Sequence, residues 1–341
     1  MRCAEAARAR GASLRGTAGR SARFLLLEVP GPWGPSALKG GQLGADVTAH
    51  LRKAAADLGL SVLLIRRPGR RPAAADGGGE SRAWAVAETA AGIERVRWGS
   101  WREPADLLGL DIAAAIPDSA SASGPQRVAL VCTNGKRDQC CAVRGRPVAA
   151  ALAAGTGWDT WECCHLGGHR FAATMLLLPT GDMFGWLDAE SALDVTRRFD
   201  AGQLAVAHHR GRSGQPVPVQ AALHAAAVSL GELRRHAIRV SSARRVLTGP
   251  GDGNGNADHG NADHGNSDHG NSDHWEVDVI HQAGPGAATT YRVQLAGRRL
   301  APAFLSCADD APKTETDYEV ISFAPLGSFP ALSVSCSVSR R

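Results

Sequence analysis

The chain has 341 residues, 44% of them apolar, and a formal net charge of +5 at pH 7. This length and apolar content are sufficient for two domains with buried cores. The positive charge comes mainly from arginine residues that are not interleaved with aromatic side chains, which argues against nucleic-acid binding. No apolar run approaches the about 20 residues that a membrane-spanning helix needs. We therefore predict binding to neither nucleic acid nor a membrane.

The N-terminal third predicts an arm followed by a first α/β domain. Residues 1–22 are rich in arginine and alanine and contain several helix-breaking glycines, so a flexible arm is expected there. Apolar periodicity predicts a β-α-β-β domain over 23–117, and the small, polar stretch 118–126 is typical of a linker. Within the domain, one helix is expected at 45–58, and strands are expected at 24–29, 61–65, 83–88 and 93–98.

The centre of the chain is dense in thiol and imidazole groups. Five of the eight cysteines and two histidines lie between positions 132 and 169. Apolar runs at 128–131 and 175–178 predict buried strands, and the Ala-rich stretch 146–154 predicts a helix between them. This strand–helix–strand unit could bring the two cysteine- and histidine-bearing loops to one end of a sheet. Such a cluster indicates metal ligands in a reducing compartment, the cytoplasm, rather than a secreted disulfide framework.

The spacing of these residues limits the kind of metal site. His165 and His169 are spaced as in the second half of a zinc finger, but eight residues separate Cys132 from Cys141. That gap is too long for a zinc knuckle and suits a loop around a larger group, such as a two-iron cluster. A cluster with two cysteines on one iron and two histidines on the other would follow. The Rieske pattern, which pairs each cysteine with a histidine in a short motif, is absent.

Three stretches of the sequence resemble the sucrase/ferredoxin-like family. They are Cys-Thr-Asn-Gly-Lys-Arg-Asp-Gln-Cys-Cys at 132–141, Trp-Glu-Cys-Cys-His-Leu-Gly-Gly-His-Arg-Phe-Ala-Ala-Thr at 161–174, and Leu-Leu-Glu-Val-Pro-Gly-Pro-Trp-Gly at 26–34. The resemblance covers most of residues 20–310. Members carry a thioredoxin-like [2Fe–2S] ferredoxin domain, and fungal relatives are bis-histidinyl, non-Rieske iron–sulfur proteins. The resemblance therefore implies an α/β, thioredoxin-like ferredoxin domain over 127–233, preceded by a second α/β domain similar to a degenerate thioredoxin-like half.

The resemblance also implies which residues hold the cluster. By position, the implied [2Fe–2S] ligands are Cys132, Cys141, His165 and His169. The residues expected to surround them are Lys136, Arg137, Gly167, Gly168, Cys140, Cys163 and Cys164. One departure is Asn134, where many members carry histidine. Because an amide is a poor iron ligand, Asn134 is not expected to coordinate.

The ligand chemistry predicts a one-electron carrier or redox sensor without a substrate pocket of its own. Two neutral imidazoles in place of two thiolates make the cluster easier to reduce, and a free ring N–H allows reduction to couple to proton uptake. Lys136 and Arg137 would add positive charge, and the two glycines would let backbone N–H groups approach the cluster. The electron-transfer partner, expected to be a redox protein, is not identified by the sequence.

Two alternatives stay open at this point. The first is a sucrose-cleaving hydrolase, an activity reported for a plant member of the family. Glycosidases need two carboxyl groups across a sugar cleft, and the only nearby acids, Glu162, Asp182 and Asp188, lie in no recognisable motif. The second is a zinc-stabilised binding module that uses the same four ligands. Ligand choice is open too, since Cys163 could substitute for one ligand and the extra cysteines could act as resolving thiols.

The C-terminal part is predicted to be a β-rich extension over 234–310. Strands are expected at 237–247, 275–281 and 290–295. A perfect pentapeptide repeat at 255–274, Gly-Asn-Ala/Ser-Asp-His, predicts a disordered spacer in a hairpin loop that binds divalent metal only adventitiously. Cys307 follows the last of these strands, and its role is open. Residues 311–341 are predicted to form a disordered tail.

Overall fold

The computed structural model describes residues 2–39, 41–69, 81–118, 123–246 and 273–330. It contains one nine-stranded mixed sheet and a separate four-stranded antiparallel sheet. The helices are α1 (Cys3–Ala9), α2 (Ala45–Leu58), α3 (Ile112–Ala115), α4 (Gln139–Gly155), α5 (Ala189–Asp200) and α6 (Val217–Leu230). Short 3-10 turns occupy Pro104–Leu108 and His169–Phe171. The predicted mixed α/β architecture with a β-rich C-terminal part is confirmed.

The large sheet is built from nine strands in the order β4-β3-β1-β2-β6-β5-β7-β8-β9. Its strands are β1 (Arg23–Glu28), β2 (Leu60–Arg66), β3 (Arg82–Glu88), β4 (Arg95–Trp101), β5 (Val128–Cys132), β6 (Asp159–Cys163), β7 (Met175–Leu178), β8 (Asp182–Phe184) and β9 (His209–Arg212). In the first half, β1 is parallel to β2 and antiparallel to β3. In the second half, β5 is parallel to β6 and antiparallel to β7. The two halves therefore repeat one arrangement of strands.

The two halves share one sheet, which differs from the prediction of two domains at 23–117 and 127–233. Strands β2 and β6 pair antiparallel through Ile65 with Cys163 and Arg66 with Glu162. The described part of the predicted linker is also tied down, because the side chain of Gln126 hydrogen-bonds to both backbone groups of Val96 on β4. Composition identified a break in secondary structure but not this pairing of segments about 100 residues apart.

The local sequence predicts both ends of α2 correctly but places the start of α4 too late. Helix α2 has its predicted limits, with Gly59 in the left-handed conformation as its cap. Helix α4 begins at Gln139, before its predicted start at 146. The reason is Asp138, whose side-chain oxygen accepts the backbone N–H of Cys140 at 2.8 Å and caps the helix. Two of the cysteines are thereby placed in a helical turn rather than a loop.

The predicted flexible arm over 1–22 is wrong for its first part. Residues Cys3–Ala9 form α1, which buries Cys3, Ala4 and Ala7. Helix α1 packs against the 3-10 turn His169–Phe171. Arg8 of α1 makes a further contact, since its guanidinium donates to the carbonyl of Trp186 at 2.9 Å. Burial of small residues against this turn stabilises a helix too short to form alone.

The second sheet consists of β10 (Ile238–Val246), β11 (His274–Gly284), β12 (Ala287–Arg299) and β13 (Thr316–Pro330) in sequence order. It packs on the alanine face of α6 through Val277, Val279, Val293 and Leu295. The three predicted strands are present. The predicted disordered tail is wrong for Thr316–Pro330, which pairs along β12. The rest of that tail and residues 255–272, which are nearly all of the repeat, lie outside the described residues.

None of the helices in the described ranges combines the length and apolar character needed to cross a membrane.

Candidate metal centre

The predicted ligands lie at the carboxyl ends of β5 and β6. These strands are parallel, with Cys132 in register with Cys163, so the loops that follow them leave the sheet at the same edge. Cys141 is in the first turn of α4. His169 begins a 3-10 turn after two left-handed glycines, Gly167 with φ 75° and Gly168 with φ 69°. The tight glycine turn folds the histidine loop back towards the cysteines.

The structure brings Cys132, Cys141, His165 and His169 together. The Cys141 Sγ atom lies 3.3 Å from Nδ1 of His169. The rings of His165 and His169 are stacked with their centroids 4.7 Å apart. Cys132 contacts both Cys141 and His165 by side-chain hydrogen bonds. Both thiols are 1% exposed and His169 is 8% exposed, so three of the four side chains are buried, and His165 is partly exposed.

The pKa values of the two thiols in this group are shifted in opposite directions. Hydrogen bonds from Cys141 and then His165 hold the pKa of Cys132 well below its ordinary value, in opposition to burial. The pKa of Cys141 is raised by its hydrogen bond to Cys132 and by burial. Burial, followed by the charge of His165, lowers the pKa of His169 to about 4. A deprotonated thiol beside a neutral imidazole is the protonation state in which such side chains bind metal.

One buried polar atom of the group has no partner. Among the described residues, Nδ1 of His165 makes no hydrogen bond although it is buried. Buried polar atoms are usually satisfied, and an exception indicates a missing ligand or ion. A metal or cluster bound by two thiolates and two imidazoles would satisfy it. The donor set fits a two-iron cluster and also fits Zn²⁺.

The residues predicted to surround the ligands differ in their exposure and in their contacts. Lys136 and Arg137 are exposed, and the charge of Arg137 contributes to lowering the pKa of His169. Cys163 is buried in β6, and the Sγ atom of Cys164 accepts the backbone N–H of Leu64 at 3.3 Å. Cys140 points away from the ligand group, with its Sγ atom 3.5 Å from that of Cys307.

Asn134 and Gly168 have structural roles. The amide of Asn134 donates to the carbonyl of Gly34 at 2.7 Å and accepts the backbone N–H of Lys136 at 3.1 Å. A Cβ atom on Gly168 would lie 2.3 Å from the guanidinium of Arg210. Glycine at this position is therefore needed both for its left-handed backbone and for the approach of this arginine.

Arg210 is a site residue that the sequence analysis missed. Its side chain is buried and donates to the carbonyl of Gly167 at 3.2 Å and to both oxygens of Thr17. Burial and then the charge of Arg170 lower its pKa to about 9. It brings positive charge beside the histidine loop. No local signal could have identified it, because the segment His-His-Arg-Gly-Arg at 208–212 has the composition of a polar surface strand.

The carboxylates required by a sugar hydrolase are bound in structural contacts. Glu162 pairs with Arg66 at 2.7 Å and accepts the hydroxyl of Thr133 at 3.0 Å. Asp182 lies 3.0 Å from Nε2 of His209, and Asp188 caps α5. These contacts account for all three acids as stabilising groups of the fold.

A sequence model of the sucrase/ferredoxin-like family matches residues 14–211. The matched region contains the whole ligand group and eight strands of the large sheet together with most of the ninth. No curated protein and no solved structure matches the chain significantly.

Proposed function

This chain belongs to the sucrase/ferredoxin-like family, and on that premise we propose that it binds a [2Fe–2S] cluster and transfers single electrons, as a carrier or a redox sensor. The observation that carries the proposal is the compact, largely buried group of two thiols and two imidazoles with an unpartnered Nδ1 atom on His165. Electron exchange would take place with a separate redox protein. When bound, the cluster would supply reversible one-electron chemistry.

The proposed ligands divide between the two loops. Cys132 and Cys141 would bind one iron as thiolates, and His165 and His169 would bind the other as neutral imidazoles. The low pKa of Cys132 favours its thiolate, and the low pKa of His169 favours its neutral ring. Because the fold already brings these donors together from the end of β5, from α4 and from the loop with the glycine turn, they need little rearrangement to bind.

The surrounding residues would adjust the redox properties. Arg210 is buried beside the histidine loop, and its positive charge favours the more negative reduced state. The imidazoles carry no negative charge, which favours reduction further. Any ring nitrogen not bound to iron can hold or release a proton, so a pH-dependent potential is expected.

The strand arrangement supports the thioredoxin-like interpretation of the fold. The segment from β5 to α5 follows the order β-α-β-β-β-α with sheet order β6-β5-β7-β8, as a thioredoxin-like domain does. The first half has the equivalent order β2-β1-β3-β4, and its residues 23–101 contain no cysteine. The seven cysteines in the described ranges are free thiols, which supports the cytoplasm as the location.

The decisive experiment is anaerobic purification with quantification of iron, sulfide and zinc, together with visible and EPR spectra. We expect iron and sulfide in the ratio of a [2Fe–2S] cluster and a reducible EPR signal whose potential depends on pH. His165→Cys and His169→Cys should retain the cluster, lower its potential and weaken the pH dependence, because each replaces a neutral ligand by a thiolate.

Cys164→Ser is the matched control, since serine can also accept the N–H of Leu64 and the residue is not among the proposed ligands. Its iron content should equal that of the unchanged protein. A colourless protein without iron after anaerobic reconstitution would contradict the proposal. Zinc bound by two sulfur and two nitrogen atoms would then indicate a zinc-stabilised module.

A further inference from the structure

A second group of cysteines surrounds the start of α4 on the side away from the predicted ligands. It consists of Cys3 from α1, Cys140 from α4 and Cys307 from the loop before β13, and we call it the three-cysteine cluster. The Sγ atom of Cys3 lies 3.6 Å from that of Cys140 and 3.5 Å from that of Cys307. The Sγ atoms of Cys140 and Cys307 are 3.5 Å apart. The carboxylate of Asp138 lies 3.5 Å from the Sγ atom of Cys3.

We propose that the three-cysteine cluster is a structural Zn²⁺ site, with three thiolates and the carboxylate of Asp138 as its four donors. Tetrahedral zinc with Zn–S bonds of about 2.3 Å holds its sulfur atoms about 3.8 Å apart. The observed separations are shorter than this by only a few tenths of an ångström, and the four donor atoms all lie within 4.8 Å of one another. Thiolate donors with one carboxylate suit zinc better than Mg²⁺ or Ca²⁺, which prefer oxygen donors.

The geometry of the three thiols favours a cation over a disulfide. The three sulfur–sulfur distances are nearly equal, which forms a triangle around one point. A disulfide would bring two of the sulfur atoms to about 2.05 Å and leave the third thiol out of the bond. Zinc uses all three sulfur atoms, and their protons pass to the solvent on binding.

Asp138 and the backbone hold the donors in place before any ion binds. One oxygen of Asp138 accepts the backbone N–H of Cys307 at 2.7 Å and the hydroxyl of Ser306 at 2.8 Å. Its other oxygen accepts the N–H of Cys140 at 2.8 Å. Cys3 and Cys140 are buried whereas Cys307 is exposed, so an ion can reach the site from the Cys307 side. These are the supporting contacts and the entry path that a metal site requires.

The site would join three parts of the chain that are far apart in the sequence. Cys3 and Cys307 are 304 residues apart, and Cys140 is next to the proposed cluster ligand Cys141. Helix α1, which carries Cys3, covers the 3-10 turn that begins at His169. Zinc would therefore hold α1 and the Cys307 loop against α4 and keep the histidine loop covered.

The test uses the full chain purified anaerobically, with zinc and iron measured separately and the zinc environment determined by X-ray absorption. We expect one zinc ion per chain with three sulfur donors and one oxygen donor. Cys3→Ser combined with Cys307→Ser should remove the zinc and leave iron binding intact. Cys336→Ser, which removes a cysteine that belongs to neither set of proposed donors, should retain both metals.

The single variant Cys307→Ser tests the proposal in case the double variant fails to fold. It should fold normally because Cys307 is exposed. The variant should keep an unchanged circular dichroism spectrum and bind zinc at least about 10-fold more weakly in a chelator competition. Loss of even a residue that only supports a metal ligand usually weakens metal binding by about 10-fold, so loss of a ligand should weaken it at least as much. The proposal is overturned if the unchanged protein holds no zinc even after anaerobic addition of Zn²⁺. It is also overturned if the double variant retains zinc, or if the zinc has two sulfur and two nitrogen donors. Because iron is counted independently, the proposed cluster can fail without affecting this result.

Discussion

Cys140 and Cys141 are neighbours in the sequence but face different groups. Successive residues of an α-helix are rotated by about 100°, so adjacent side chains in the first turn of α4 point in different directions. Cys141 faces His169, whereas Cys140 faces Cys3 and Cys307. One helical turn thus contributes a thiol to each of two separate groups. The start of the helix at Gln139 therefore explains why these two adjacent thiols face different groups.

At the scale of single residues, His224 predicts a pH dependence of stability. Its Nδ1 atom is buried without a partner among the described residues, and burial, then the charges of His209 and Arg15, lower its pKa to about 4. The unfolded chain binds this proton from about pH 6.5 downwards. The stability gained by the neutral ring is therefore complete above pH 6.5 and is lost as the pH falls towards 4.

We expect this residue to account for about 1–2 kcal/mol of the stability lost over that pH range, a value reduced for partial exposure of the ring. Urea unfolding of His224→Gln at pH 7.5 and pH 4.5 should show a correspondingly smaller difference between the two conditions. His236→Gln, at an exposed histidine, is the control and should keep the full difference. An unchanged difference in His224→Gln would contradict the prediction.

At the scale of elements, α4 crosses the end of β5 without a side chain between them. A Cβ atom on Gly145 would lie 2.2 Å from the carbonyl oxygen of Cys132. Gly145→Ala should therefore lower the free energy of unfolding by about 1–3 kcal/mol, although alanine favours a helix more than glycine does. Iron content should fall as well, because any relief of the clash moves Cys132.

Gly157→Ala is the matched control for this substitution. Gly157 is exposed, and no atom lies within 4 Å of the position of its Cβ atom. Its unfolding free energy and iron content should be unchanged. Equal stability of the two variants would show that α4 can move away from β5 without cost.

At the scale of the whole molecule, we expect the C-terminal sheet to tolerate a shorter connection between its first two strands. Strands β10 and β11 pair up to Val246 and His274. Replacing residues 253–270 by a short Gly/Ser loop should raise the free energy of unfolding by about 1 kcal/mol, because a shorter loop has a smaller closure entropy. Iron content should not change, and any weak nickel binding should disappear. The measurements are urea unfolding and metal analysis.

A full-length variant with asparagine at His259, His264 and His269 separates metal binding from loop length. It should lose nickel binding without a change in stability. A loss of stability on shortening would indicate that the repeat packs against the rest of the protein.

The sequence by itself determined the features that depend on neighbouring residues. Apolar runs predicted β5 and β7, apolar periodicity with a glycine stop predicted α2, and the two dense motifs predicted the ligand group. Those motifs are local, so the four predicted ligands could be named before any fold was known. Their role as ligands stays a prediction, while the family that the motifs indicated is confirmed by the match over 14–211.

Only the tertiary structure decided the contacts between distant segments. The pairing of β2 with β6, the burial of Arg210 beside Gly167, and the meeting of Cys3, Cys140 and Cys307 join residues separated by tens to hundreds of positions. Such contacts depend on which faces become buried together, and no periodicity or spacing within one segment records that choice. The second group of thiols could therefore be recognised only from the tertiary structure, which places Cys3 and Cys307 beside α4.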